Sequence, residues 1–253
     1  MTSESVTSPE PTTQGVRKLR DPAQILALLE SGAALGLLLV QEDCGDPAIV
    51  ALVERARAKG VPVRPASASV LRRMSSPLPP SPVLALHGRD PAASLDAVLE
   101  LRGAVWLLLG VSYPTNAGVS IRTAEGSGAT AVVIDAEWDH DARRAATRAS
   151  MRADWYMPVF WERSRVVIAR ARERGYRIVA LENTGVLAPW EVDLTPPTLF
   201  VVGGEAHGVP PEVLADCDDT LCIPMGGFIP SHNLQIALGV VGTERLRQLA
   251  AKR

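Results

Sequence analysis

Leu199-Phe200-Val201-Val202-Gly203-Gly204-Glu205-Ala206-His207-Gly208 is an apolar run of strand length that breaks into a glycine-rich turn carrying one carboxylate and one imidazole. A run with no polar alternation suits a strand covered on both faces, as in a parallel sheet. In such sheets ligands collect where strands end, so the turn at 203–208 is a candidate site. Taken alone, a Gly-Gly-Glu turn is more often only a turn.

Working outward, the same grammar repeats. Ala104 to Leu109 is a second apolar strand, followed by Asn116-Ala117-Gly118-Val119-Ser120-Ile121-Arg122, which opens a helix with Asn116 as its cap and continues to Gly128. Thr130 to Asp135, Pro158 to Phe160, Arg177 to Leu181 and Thr220 to Ile223 read as further strands. Between them lie helices at Ala93–Leu101, His140–Arg152, Glu162–Arg174 and Pro211–Asp216, and a long last helix at Ser231–Ala251. Strands alternating with helices predict an α/β fold with a mostly parallel sheet. A third loop, Ile223-Pro224-Met225-Gly226-Gly227, leads to Ser231-His232-Asn233-Leu234-Gln235 at that last helix.

Upstream, the pattern predicts a smaller α/β unit. Asp21-Pro22 and Asp46-Pro47 each place a capping carboxylate before a proline at the first helical position, opening helices to Glu30 and Lys59. Strands are expected at Leu35–Val40, Val61–Arg64 and Val83–Leu86, with a short helix at Ala68–Met74. The organisation expected is a disordered tail at 1–16, a first domain at 17–88, a linker and helix at 89–103, and a main domain at 104–253.

Composition narrows the function. Of 253 residues, 47% are hydrophobic and 21% charged, enough apolar mass for a packed core. The net charge of −2 argues against a protein that coats polyanions indiscriminately. Lysine occurs only at 18, 59 and 252, so the cationic side chains are almost all arginines, clustered at 143–152 and 163–174. Arginine suits bidentate phosphate contacts; solvated helix faces explain the clusters equally well. Cys44, Cys217 and Cys222 form no Cys-x-x-Cys pair and the four histidines are scattered, so no metal site is expected, and free thiols fit a cytoplasmic protein. No apolar run reaches membrane-spanning length, and the first sixteen residues resemble neither a signal nor a transit peptide. A dinucleotide fold of the dehydrogenase type is disfavoured, because no Gly-x-Gly-x-x-Gly follows the first strand.

Together the three loops resemble the SpoU/TrmH family of the SPOUT methyltransferases. The resemblance rests on Asn116, Gly118, Arg122, Ala124 and Gly128; on Gly203, Glu205, Gly208, Pro211 and Glu212; and on Ile223, Pro224, Met225, Ser231 and Asn233. It implies a SPOUT-type sheet with a C-terminal trefoil knot. A fainter likeness makes the first domain L30e-like and RNA-binding. The activity implied is transfer of a methyl group from S-adenosyl-L-methionine to a ribose 2′-OH in RNA, with ribosomal RNA favoured over tRNA. The alternative is a non-catalytic RNA- or ribosome-binding protein that keeps the fold.

By the same resemblance, Arg122, Asn116, Glu205, Ser231 and Asn233 are the catalytic residues. Gly203, Gly204, Glu205, Gly208, Ile223, Met225, Ser231, Asn233 and Leu234 hold the cofactor. A homodimer is implied, with Arg122 of one subunit working beside the cofactor of the other. The apolar side chains of the last helix, Leu234, Ile236, Leu238, Val241 and Leu246, are candidates for its interface. Four positions depart from the family pattern: Gly204 stands where Asn is frequent, Arg152 where Gly is expected, and His232 and Gln235 where small or apolar residues are usual.

Overall fold

A computed structural model describes residues 17–33, 35–75, 79–88, 90–229 and 231–252. The tail expected at 1–16 lies outside them. The chain divides into two compact units, Met1–Ala92 and Ala93–Arg253.

The first unit is a four-stranded sheet in the order β1-β4-β2-β3, built from β1 (Arg17–Leu19), β2 (Leu35–Gln41), β3 (Val63–Ala66) and β4 (Val83–His87). β4 runs antiparallel to β1 and β2, whereas β2 and β3 are parallel. Helices α1 (Pro22–Glu30), α2 (Pro47–Ala58) and α3 (Ala68–Ser75) accompany it. The caps of α1 and α2 are those expected: the Asp21 and Asp46 carboxylates accept hydrogen bonds from the backbone N–H groups of Ala23 and Ala48 at 2.9 and 2.8 Å. Ile25, Leu29, Leu38, Leu52 and Ala56 form the buried centre.

The second unit carries a six-stranded, wholly parallel sheet in the order β10-β8-β9-β5-β6-β7. Its elements run α4 (Leu95–Glu100), β5 (Ala104–Leu109), α5 (Pro114–Gly126), β6 (Ala131–Asp135), α6 (His140–Ala149), β7 (Val159–Trp161), α7 (Ser164–Glu173), β8 (Arg177–Leu181), β9 (Thr198–Gly203), α8 (Pro211–Leu214), β10 (Asp219–Leu221) and α9 (Leu234–Ala251). Every residue of β5 is buried. Its alternate side chains serve two cores, as a strand's two-residue period requires. Ala104, Trp106 and Leu108 face α5, α6 and α9, while Val105, Leu107 and Leu109 face α4 and α7. Trp106 stacks on Phe200 of the neighbouring strand with ring centroids 4.7 Å apart. The stretch 89–103, read as linker and helix, holds α4, whose Leu95, Val98 and Leu99 are buried in the second unit's core.

Several boundaries differ from expectation by one or two residues, among them β3, β7, β10, α4, α7 and α8, and three differences bear on the site. α5 starts at Pro114 with Tyr113 as its cap, so Asn116 lies inside the first turn and does not cap it; Pro at the first helical position sets the start. α6 ends at Ala149 instead of Arg152, because Met151 and Arg152 take left-handed backbone with φ of 53° and 74°. α9 starts at Leu234, leaving Ser231 in the preceding loop and Asn233 as a cap without a side-chain hydrogen bond.

The last helix also packs differently from the interface expected of it. Leu234, Leu238 and Val241 are buried against their own sheet. Only Ile236, 49% exposed, is a large open apolar side chain among the five.

Candidate functional site

All six strands of the second sheet are parallel, so their C-terminal ends share one edge. The order β10-β8-β9-β5-β6-β7 reverses direction between β9 and β5. Loops leaving strands on either side of such a reversal diverge and open a crevice. Glu205 follows β9, and Ser112 and Asn116 follow β5, so the crevice is bridged where the theory places a ligand. The Glu205 carboxylate accepts hydrogen bonds from the Ser112 N–H at 3.0 Å and from the Asn116 side-chain amide at 2.5 Å. Burial acts to raise the Glu205 carboxyl, and these donors outweigh it, holding it below the ordinary carboxylate range.

Beside this bridge lies a cavity of about 530 Å³. Its wall is made by four chain segments together with Leu214 of α8: 181–184 at and after the end of β8, 202–205 and 207–209 at the end of β9, 221–223 with Met225, and 231–234 with Ala237. Eight of the residues expected to hold a cofactor line it beside Glu205: Gly203, Gly204, Gly208, Ile223, Met225, Ser231, Asn233 and Leu234. Two of the three loops read separately in the sequence, 203–208 and 223–235, therefore meet at one volume, and the third reaches it through the Asn116–Glu205 bond. The glycines at its base answer a steric demand. A Cβ at Gly203 would come within 1.9 Å of the Gly208 carbonyl carbon, and one at Gly204 within 2.1 Å of the Gly110 oxygen. The departure at 204 thus has a local cause, a close pass of the chain leaving β5.

Of the five residues expected to be catalytic, Glu205, Ser231 and Asn233 line the cavity and Asn116 touches Glu205. Arg122 does not join them. It is exposed on α5, six residues beyond Asn116 and so about 120° round the helix from it. Gly118 turns out to be a packing residue: a Cβ there would sit 2.4 Å from the Ala146 oxygen and the Ala149 Cβ.

Sequence reading missed Glu182 and His232 as wall residues. Glu182 follows β8 directly, and a polar residue just past the C-terminal end of a buried parallel strand is the signal that could have found it. The Nε2 of His232 is buried with no hydrogen-bond partner. Among the described residues, no group of three or more His, Cys, Asp or Glu is placed to hold a metal ion. Nor is any helix among them long and apolar enough to cross a membrane.

Comparison with known proteins gives a consistent picture. A model described as the SpoU rRNA Methylase family matches residues 104–243. The chain is 30% identical over 221 residues to the 23S rRNA (guanosine-2'-O-)-methyltransferase RlmB of Xanthomonas axonopodis pv. citri, covering 83% of this chain and 88% of that one. It is 30% identical over 165 residues to the RlmB of Pseudomonas syringae pv. tomato, covering 64% of this chain and 66% of that one. Among solved structures, the SpoU methyltransferase AviRb from Streptomyces viridochromogenes in complex with AdoMet superposes with a TM-score of 0.58 at 22% identity. That match covers 94% of this chain and 92% of AviRb.

Proposed function

The chain belongs to the SpoU rRNA methylase family, and from that premise we propose that it transfers a methyl group from S-adenosyl-L-methionine to the 2′-OH of a ribose in structured RNA, ribosomal RNA before tRNA. The observation that carries the proposal is the Ser112–Glu205–Asn116 bridge, which ties the motif at 116–122 to a cavity lined by the motif loops at 203–208 and 223–235. The relatives named for guanosine 2′-O-methylation of 23S rRNA support the preference for ribosomal RNA.

The cavity fits the donor. At about 530 Å³ it is of ordinary small-ligand size. Leu181, Val202, Leu221 and Ile223 offer an apolar wall for a flat base. Bound there, the donor would supply a methyl group on a sulfonium. Glu205, Ser231 and Asn233 would hold it from the wall, and Asn116 fixes Glu205. Arg122 is assigned to the substrate. Its guanidinium stays protonated, so it is no base; it clamps a phosphate and stabilises developing alkoxide charge, while a phosphate or water takes the proton.

Because Arg122 lies outside its own chain's cavity, we assign it to the cavity of a second subunit. The exposed Val119 of α5 and Ile236 of α9 support a homodimer along that seam. Thr123 meets Gly239 and Ser127 meets Gly242, so the helices run side by side in the same direction and bring Val119 and Ile236 to one level. We further propose the C-terminal trefoil knot, supported by the 182–187 loop pressing on residues 220–222, where a Cβ at Gly185 would reach 2.6 Å from the Thr220 oxygen. Residues 17–88 are proposed as the L30e-like, RNA-holding domain. Three free cysteines suit a reducing cytoplasm, where we place the activity.

The test is incorporation of labelled methyl from S-adenosyl-L-methionine into purified ribosomal RNA and tRNA, read as alkali-resistant dinucleotides. Ribose methylation in ribosomal RNA is expected. Tight RNA binding without incorporation would favour the non-catalytic alternative.

A further inference from the structure

The cavity wall contains two carboxylates, Glu182 and Glu205, and no lysine or arginine. The two acids are differently employed. Glu205 is tied to Ser112 and Asn116. Glu182 sits half-buried past the end of β8, where one carboxylate oxygen accepts from the Val209 N–H at 2.9 Å and the other from the Asn183 N–H at 3.0 Å. Each oxygen has a second lone-pair direction left over. Among the described residues no cation is paired with it.

The loop opposite is shaped around this group. Gly208 has a φ of +63°, and a Cβ there would come within 2.4 Å of the Glu182 Oε2. A side chain at 208 would displace the carboxylate, and Val209, next along, supplies the N–H that orients it. The result is a carboxylate held fixed on a wall that carries no lysine or arginine, with His207 and His232 as its imidazoles.

The geometry points to Glu182 as a specificity-determining residue that makes the cavity prefer the cationic methyl donor to its demethylated product. This inference rests on the methyl-donor reading above. S-adenosyl-L-methionine carries a sulfonium; once the methyl has left, the same atom is a neutral thioether, and the two molecules otherwise match in shape. Apolar contacts and backbone hydrogen bonds therefore bind both alike. A fixed carboxylate distinguishes them, because it attracts the charge that the reaction removes. At a separation of about 8–12 Å and an effective dielectric of about 20, the attraction corresponds to a preference of about tenfold to thirtyfold. Such a charge favours loading of the donor and release of the product.

The test is calorimetric titration of the full chain with S-adenosyl-L-methionine, S-adenosyl-L-homocysteine, and the analogue in which an ammonium-bearing carbon replaces the sulfonium. Wild type is expected to bind both cations more tightly than the thioether. Glu182→Gln keeps an oxygen to accept from Val209 and removes the charge. It is expected to narrow the cation-to-thioether ratio at least threefold, leaving thioether affinity nearly unchanged. Glu182→Asp, which keeps the charge, is expected to retain most of the ratio. Equal weakening of all three ligands by the Gln variant, or an Asp variant indistinguishable from Gln in its ratio, overturns the assignment. If wild type binds none of the three, the methyl-donor reading falls and this inference with it. Binding of all three with a ratio that Glu182→Gln does not alter removes only the role of Glu182.

Discussion

The Asn116 side-chain amide donates a 2.5 Å hydrogen bond to the Glu205 carboxylate, joining the loops after β5 and β9, eighty-nine residues apart in the chain. This bond spans the place where the sheet's winding reverses, so it fixes the loop after β5 against the β9 loop that lines the cavity. Asn116 reaches Glu205 because α5 starts three residues earlier than a cap at 116 would require. From inside the first turn its side chain is free to cross the crevice.

Glu205→Ala is expected to lower methyl-donor affinity or turnover at least tenfold, and Asn116→Ala to cause a smaller loss with the fold intact. A hydrogen bond to a charged group contributes about 1.5–3 kcal/mol when buried, and the partial exposure of Glu205 places Asn116 at the lower end. Donor titrations with circular dichroism as the folding control would measure both. Wild-type affinity in Glu205→Ala would remove this residue from the site.

The depressed Glu205 carboxyl also sets a pH signature. Its folded value lies below the unfolded one, so the bridge contributes fully above the ordinary carboxylate range, near 4.3, and is lost as pH falls through the lowered folded value. Asn116→Ala removes a donor that favours the charged form and is expected to move the Glu205 titration upward. Carboxyl-carbon NMR of both proteins would show the displacement; coincident curves would contradict it.

Gly118→Ala is expected to destabilise the second unit by about 1–3 kcal/mol, the usual cost of overpacking. The new Cβ would collide with the Ala146 oxygen and the Ala149 side chain where α5 and α6 touch. Thermal denaturation should show a fall of several degrees, and an unchanged midpoint would mean that the helices are not packed this closely.

Arg152 occupies left-handed backbone, with its guanidinium 4.9 Å from the centre of the Trp155 ring. Arg152→Gly relieves about 1–2 kcal/mol of backbone strain and gives up a cation–π contact together with chain entropy of similar size. Stability should therefore be nearly unchanged. Arg152→Val is expected to lose more than about 1 kcal/mol, since β-branching disfavours positive φ. Chemical denaturation of the pair would separate them, and equal stabilities would contradict the left-handed assignment.

Burial pushes the Cys217 thiol up to about 11, and its Sγ donates to the Val213 carbonyl at 3.2 Å. The thiolate is the reactive form, so alkylation at pH 8 should be slow until the protein is unfolded. Mass spectrometry of peptides after brief iodoacetamide treatment would show it. Rapid native-state labelling at Cys217 would contradict the burial.

Much of the fold could be read in the residues because local and global signals agreed. The β5 run Ala104–Leu109 and the β8 run Arg177–Leu181 have their expected limits, since each is bounded by helix stops and buried throughout its middle. The Asp-Pro caps of α1 and α2 are local chemistry and needed no tertiary knowledge. Errors fell where backbone handedness or tertiary contact intervened. Nothing at Met151-Arg152 announces positive φ, and the buried face of α9 depends on a sheet assembled far upstream. The residues of the three motif loops were legible, but the Glu205–Asn116 contact was not, because it depends on strand order. Glu182 belongs to no motif and emerged only when four chain segments closed round a cavity. Arg122 was legible as a motif residue, and its exposed place on α5, away from its own chain's cavity, agrees with the expectation that it works beside the cofactor of a second subunit.

The most direct test of the central claim is quantitative mass spectrometry of 2′-O-methylated nucleosides in ribosomal RNA and tRNA from cells with the gene, without it, and with Glu205→Ala in its place. The account predicts one ribose-methylated nucleoside in ribosomal RNA that disappears on deletion and is not restored by the Glu205→Ala chain. Identical nucleoside profiles in all three strains would contradict it.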